Sequence, residues 1–174
     1  MEEDPNTKII IFSQFVQFLD LLGSFFELNK VRYTGYRGSM SQNERDESIR
    51  RFSMPSSIAD PINVILISTK AGGVGLNLTM ATKVIMADLA YSPTTEAQAV
   101  DRAHRIGQTK EVTVERLVIS DTVEDRLLEI QERKGLLADG ALGEGAIGKL
   151  GKLSVKDISF LFGIGAEMQR DDDD

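Results

Sequence analysis

There is no cysteine in these 174 residues. That excludes a disulfide framework and a thiolate metal site, and it suits a reducing compartment. Histidine occurs once, at His104, too few for a zinc site built by protein ligands alone. No apolar run approaches the roughly 20 residues of a membrane-spanning helix. The opening "MEEDPNTK" is acidic and polar, unlike a signal or transit peptide. A basic surface is missing too. The formal net charge is -7, yet Glu2, Glu3 and Asp4 supply three of the negative charges and Asp171 to Asp174 four. The other 20 of the 27 acids are matched by 20 Lys+Arg, so the body of the chain is neutral. Contact with nucleic acid would then rest on individually placed groups, not on a broad positive field.

What is present is a core and an alternating pattern. A hydrophobic fraction of 41% is enough for one domain with a real interior. "KIIIF" (Lys8 to Phe12), "VRYTGY", "NVILIS" (Asn63 to Ser68) and "KVIMAD" (Lys83 to Asp88) read as buried strands, and "VTVERLVI" alternates like a further one. Between them, "QFVQFLDLLGSFFEL" has helical spacing at Phe15, Phe18, Leu19, Leu22 and Phe26. In "SQNERDESIRRF", Ser41 and Glu44 form a capping box. Ser92 and Pro93 set the start of a helix from about Thr94 to Ile106. Asp121 caps "TVEDRLLEIQERK", acidic at its start and basic at its end as the helix dipole favours. Strand–helix alternation with continuous apolar strands predicts an α/β fold, a parallel sheet with helices on both faces. Ligands on such sheets bind at the carboxyl ends of strands. The expected organisation is an acidic tail (1–7), a lobe (8–134), a Gly-rich linker (135–152), a docking segment (153–163) and an acidic disordered tail (164–174).

Two stretches carry chemistry. "STKAGGVGLNL" follows the third strand, where Ser68 and Thr69 offer hydroxyls and Gly72, Gly73 and Gly75 permit close backbone approach. A Gly-rich turn after a strand is also, simply, a tight turn. In "QAVDRAHRIGQTK", helical projection brings Gln98, Arg102 and Arg105 within about 60° of one another. Ala99, Ala103 and Ile106 form a neighbouring stripe. Two guanidiniums aimed together suit a transferring γ-phosphate; the bland reading is an exposed helix with an Asp101–Arg105 pair. "GEGAIGKL" (Gly143 to Leu150) imitates a P-loop, but Leu150 stands where Mg²⁺ needs Ser or Thr and no strand precedes it. It is rejected.

In this order, "KIIIFSQF", "YRGSMSQNERDESIRRF", "LISTKAGGVGLNL" and "QAVDRAHRIGQTKEVTVERLV" resemble motif IV, the Gly-Ser block, motif V and motif VI of the second RecA-like lobe of Swi/Snf-family DNA-dependent ATPases, in the superfamily-two helicase group. The likeness covers roughly Lys8 to Lys134. "LSVKDISFLFG" is similar to the end of that lobe in the branch with DNA-damage-tolerance translocases and transcription-termination ATPases. Where the family has Trp and Asn-Pro, this chain reads Tyr91, Ser92, Pro93, so no contact is carried onto Ser92.

The resemblance implies a RecA-like half-motor. Arg102 and Arg105 would be arginine fingers, and Gly75, Asn77 and Gln98 would line the nucleotide side of the cleft. Ser13, Gln14, Gly38, Ser39, Ser68 and Thr69 would face the backbone of double-stranded DNA. ATP and Mg²⁺ would be held mainly by the first RecA-like lobe of the same protein. Chromatin or DNA-bound proteins are the further expected partners, the nucleus the expected location, and no membrane is involved. The chain alone is expected neither to hydrolyse ATP, lacking a P-loop and acidic box, nor to bind DNA strongly. Rival readings are a partner- or DNA-docking lobe with incidental ATP turnover and an ATPase-dead paralogue.

Overall fold

A computed structural model describes residues 7–56, 60–71, 76–105, 107–140 and 154–164, with backbone alone for 134–140. The expected Gly72, Gly73 and Gly75 turn, Ile106, most of the 135–152 linker with its false P-loop, and nearly all of both tails lie outside the described residues. The chain packs as two compact units, Met1–Asp88 with Glu96–Leu117, and Leu89–Thr95 with Val118–Asp174.

The first unit is built on the expected parallel sheet. Its strands are β1 (Ile9–Ser13), β2 (Tyr33–Tyr36), β3 (Val64–Ser68), β4 (Lys83–Met86) and β5 (Thr113–Arg116), in spatial order β2-β3-β1-β4-β5. Every pairing is parallel, and Ser13 lies opposite Ser68 in the β1–β3 register. Side chains alternate between two cores, as the pleat requires. Ile10, Phe12, Ile65 and Ile67 face one core, closed by Phe52 of α2 (Gln42–Ser53) and Ala99 of α3 (Pro93–Val100). Ile11, Val64 and Leu66 face the other, closed by Leu19 of α1 (Val16–Leu28). Continuous apolar strands were the signal for this two-sided burial, and β3 is buried at all five positions.

Three expectations need correction. In α1 the core stripe is Leu19, Leu22, Gly23 and Phe26, while Phe15 and Phe18 are exposed. Gly23 makes that possible, because a Cβ there would lie 2.6 Å from the Tyr33 hydroxyl that packs over it. β5 spans only Thr113–Arg116 and is exposed throughout, as an edge strand with one neighbour can be. At the start of the fourth helix, Asp121 has φ 61 and does not cap. Thr122 Oγ1 accepts the Glu124 amide at 3.1 Å instead, and the Asp125 carboxylate collects the Asp121 and Thr122 amides. The capping box of Ser41 and Glu44 is present, and those bonds hold the Glu44 carboxyl below its ordinary range.

In the second unit, α4 (Val123–Gly140) continues past Lys134 into residues assigned to the linker. It packs against α5 (Val155–Phe162), the expected docking segment, which opens on a capping box of Ser154 and Asp157. Arg126 Nη1 donates to the Leu161 carbonyl at 2.8 Å, and the Arg133 guanidinium stacks 4.6 Å from the Phe160 ring centre. Gln131 donates to the Ala90 carbonyl, and the Tyr91 hydroxyl donates to Asp157 at 3.2 Å. The aromatic before the motif VI helix thus secures α5.

Candidate functional site

The carboxyl ends of the strands gather most of the expected residues. The helices that follow β1 and β4 pack on opposite faces of the sheet, so the gap between the carboxyl ends of these two strands corresponds to the place where doubly wound sheets take ligands. A carboxylate missed by the motif reading occupies it. Asp88 accepts from the Ser13 hydroxyl and from the Gln14 amide at 3.1 and 3.3 Å. Ser13 Oγ also accepts the Phe15 amide at 3.0 Å, and the residue is 1% exposed. Its hydroxyl therefore serves the chain's own turn from β1 into α1. Ser68 is buried as well, whereas Gln14, Gly38 and Ser39 are exposed and Thr69 is half-buried. The Thr69 amide donates to the Ser13 carbonyl at 2.9 Å, which holds the β1 and β3 ends together. An acid directly after "KVIMA" was the available signal for Asp88; reading it as the last strand residue hid it.

Beyond β2 a second group forms. Arg45 of α2 donates to the Arg37 and Gly38 carbonyls at 3.1 and 2.6 Å and lies 5.6 Å from the Tyr36 ring centre. It shapes the Gly38–Ser39 turn by holding its backbone. A depression of about 520 Å³ opens there, lined by Tyr36, Gly38, Arg45, Asp46 and exposed Lys70. Nothing stands within 4 Å of where a Gly38 Cβ would be, so that turn faces open space.

The arginine segment departs from its expected geometry. α3 ends at Val100, short of Ile106, so Gln98 is on the helix while Arg102 and Arg105 follow it in tight turns. The bonding turns irregular, with Arg102 N to Ala99 O at 3.2 Å and Ala103 N to Val100 O at 2.9 Å of the i to i−3 type beside His104 N to Val100 O at 2.9 Å of the i to i−4 type. The Arg102 carbonyl, which a continuing helix would use internally, accepts from the Leu78 amide at 3.0 Å. Gly107, with φ 104, supplies the left-handed residue that lets the chain reverse. Arg102 is half-buried; Arg105, His104 and Gln98 are exposed. Among the described residues Arg105 and Asp101 form no ion pair, because the helical spacing that would join them is gone. Asn77 is brought beside this turn through its neighbour Leu78; its Oδ1 accepts the Thr79 amide and hydroxyl at 3.3 and 3.0 Å. Gly75 lies outside the described residues.

α3 is fastened from its other side by a buried acid. Glu96 is 2% exposed, and Arg116 Nε of β5 donates to its carboxylate at 2.7 Å. An acid at an inward helix position with an arginine on a following strand was legible only as composition. Among the described residues no group of three or more His, Cys, Asp or Glu could hold a metal ion, and no helix is long and apolar enough to cross a membrane.

The family model described as helicase conserved C-terminal domain matches residues 1–107. The DNA repair protein rad8 of Schizosaccharomyces pombe is 47% identical over 156 residues, covering 89% of this chain and 13% of rad8. The helicase-like transcription factor of Homo sapiens is 41% identical over 142 residues, 82% of this chain and 14% of the relative. The solved C-terminal part of the Fun30 ATPase domain aligns with a TM-score of 0.71 at 32% identity, over 94% of this chain and 48% of that one. The chain thus spans a small part, 13% to 15%, of the first curated relatives it matches.

Proposed function

Since the chain belongs to the helicase conserved C-terminal domain family, in its Swi/Snf branch, we propose that it is the second motor lobe of an ATP-dependent translocase on double-stranded DNA. The observation that carries this reading is the arginine turn. It sets an exposed Arg105 and a half-buried Arg102 beside the Asn77 loop, and Arg105 has no ion pair with Asp101 to occupy it. A guanidinium never loses its charge at neutral pH and presents a planar fork to phosphate oxygens. Arg105 would stabilise charge on the transferring phosphoryl group, with Arg102 and Gln98 beside it and Asn77 and Gly75 lining the cleft. The other lobe would supply the P-loop and the Mg²⁺ ligands, since among the described residues no group of three or more His, Cys, Asp or Glu could hold a metal ion.

DNA would lie along the carboxyl ends of β1 to β3. Gln14, Gly38, Ser39 and Thr69 are accessible there, and Lys70 adds positive charge beside Gly38. Ser13 and Ser68 lie buried beneath that surface, so they would make no direct contact with the duplex. Contacts of this kind hold a duplex without reading its sequence. Names of the relatives include DNA repair proteins, so repair or remodelling in the nucleus is the setting we propose.

The deciding experiment is Arg105→Ala in the two-lobed parent. DNA-stimulated kcat should fall by about 10³. ATP affinity should change much less, because the other lobe makes most ground-state contacts. Arg105→Lys should recover only part of the loss. Wild-type kcat in the Ala variant would remove Arg105 from the mechanism.

A further inference from the structure

We infer that Gln108 is a positioning residue, whose carboxamide holds the arginine turn and the loop Asn77–Ala81 as one unit. The inference rests on the finger role proposed for Arg105. Gln108 Nε2 donates to the Thr79 and Ala81 carbonyls, both at 2.9 Å, and more weakly to Ala103 at 3.3 Å. Its Oε1 accepts the Lys110 amide at 3.0 Å, and its own amide donates to the Arg105 carbonyl at 2.9 Å. Both segments lie outside helices and strands, so neither has a regular ladder to satisfy its backbone groups. A further bond between them, Leu78 N to Arg102 O, acts beside the Gln108 bonds.

The chemistry asks for this side chain. Two carbonyls converge on one nitrogen, so the group must be a donor; an amide arrives on the other side, so it must also accept. Glutamine does both, and glutamate of the same size would set a carboxylate against two carbonyl oxygens. Half-buried, these bonds are partly shielded from competing water. The position also matters mechanically. The loop Asn77–Ala81 follows from β3, whose end carries Ser68 and Thr69 on the side proposed for DNA. The arginine turn carries the residue proposed for the nucleotide. Gln108 joins the two, so displacement of the loop would move Arg105, and a misplacement of about 1 Å costs on the order of 10²-fold in rate.

Two measurements test this. In the chain itself, hydrogen exchange at the Leu78 amide should quicken by about tenfold or more in Gln108→Glu. In the two-lobed parent, Gln108→Glu should lower DNA-stimulated kcat by about 10- to 100-fold. The KM for ATP should stay within about twofold, with kcat referred to the folded fraction read by urea unfolding, since loss of folded protein alone would also lower kcat at constant KM. Gln108→Lys keeps donors at similar reach but loses the acceptor for the Lys110 amide, and should recover only part of the activity. Wild-type exchange at Leu78, or wild-type kcat in Gln108→Glu, overturns the inference, as does a Lys variant no better than the Glu variant. Arg105→Ala run in parallel separates the readings. Normal turnover there refutes the finger itself, whereas a dead Arg105→Ala beside an active Gln108→Glu refutes the clamp alone.

Discussion

The Glu96–Arg116 pair should respond very differently to loss of its two halves. The carboxylate is almost completely buried, at 2% exposed, while the Arg116 side chain is 51% exposed. Removing one partner of a buried pair costs about 3 to 5 kcal/mol, because the survivor keeps its charge without its counter-ion. That cost falls on whichever survivor cannot reach water. In Arg116→Ala the survivor is Glu96 inside the α3 face, and a loss of about 3 kcal/mol follows. In Glu96→Gln the survivor is a half-exposed guanidinium, which turns to solvent or keeps a neutral acceptor of the same shape. The bond to Arg116 loses its charge-assisted part, about 1 kcal/mol. The gap of about 2 kcal/mol is roughly thirtyfold in the folding equilibrium.

Urea unfolding reads this directly, provided the slope m is unchanged. With m near 1.5 kcal/mol/M, the midpoint should drop by about 2 M for Arg116→Ala and by well under 1 M for Glu96→Gln. The double variant should be more stable than Arg116→Ala alone, since it removes the buried charge that lost its Arg116 counter-ion. Glu96→Gln costing as much as Arg116→Ala, or a double variant worse than either single one, would refute the reasoning. The pair would then contribute through packing, not through desolvated charge.

Ser41→Ala should cost about 1 kcal/mol, read as a shift in urea midpoint, because it removes the acceptor for the Glu44 amide at the start of α2. Ser13→Ala should destabilise the chain by about 1 to 2 kcal/mol, through loss of its bond to Asp88, yet leave duplex affinity of the parent within about twofold; a large loss of affinity at unchanged stability would contradict the buried, committed hydroxyl. Burial, which strips water from the ammonium, lowers the Lys8 pKa from 10.5. The unfolded chain therefore binds more protons between the folded pKa and 10.5, so stability should rise with pH across that window and Lys8→Met should remove that increment; identical pH slopes would refute it.

Where the sheet was legible, the reason is that its order is written locally. Runs such as "IIIF" and "VILIS" have no polar face, and only a strand covered on both sides tolerates that. The same holds for the Ser41 box, whose partners stand three residues apart. α1 misled because it carries two apolar stripes, and the buried one includes Gly23, which hydropathy does not mark as core; Tyr33 needs the missing side chain. The arginine turn was illegible for a different reason. Nothing between Gln98 and Ile106 is a helix breaker, so propensity carries α3 through to Ile106. What ends it is remote: the Leu78 amide takes the Arg102 carbonyl, and Gln108 pins the strand-end loop beside it. That tertiary competition matters for function. A helix continued through Arg105 would set it four residues from Asp101 on one face, where an ion pair forms. Breaking the helix at Val100 removes that local partner, and so leaves the exposed guanidinium available to a phosphate from outside the chain.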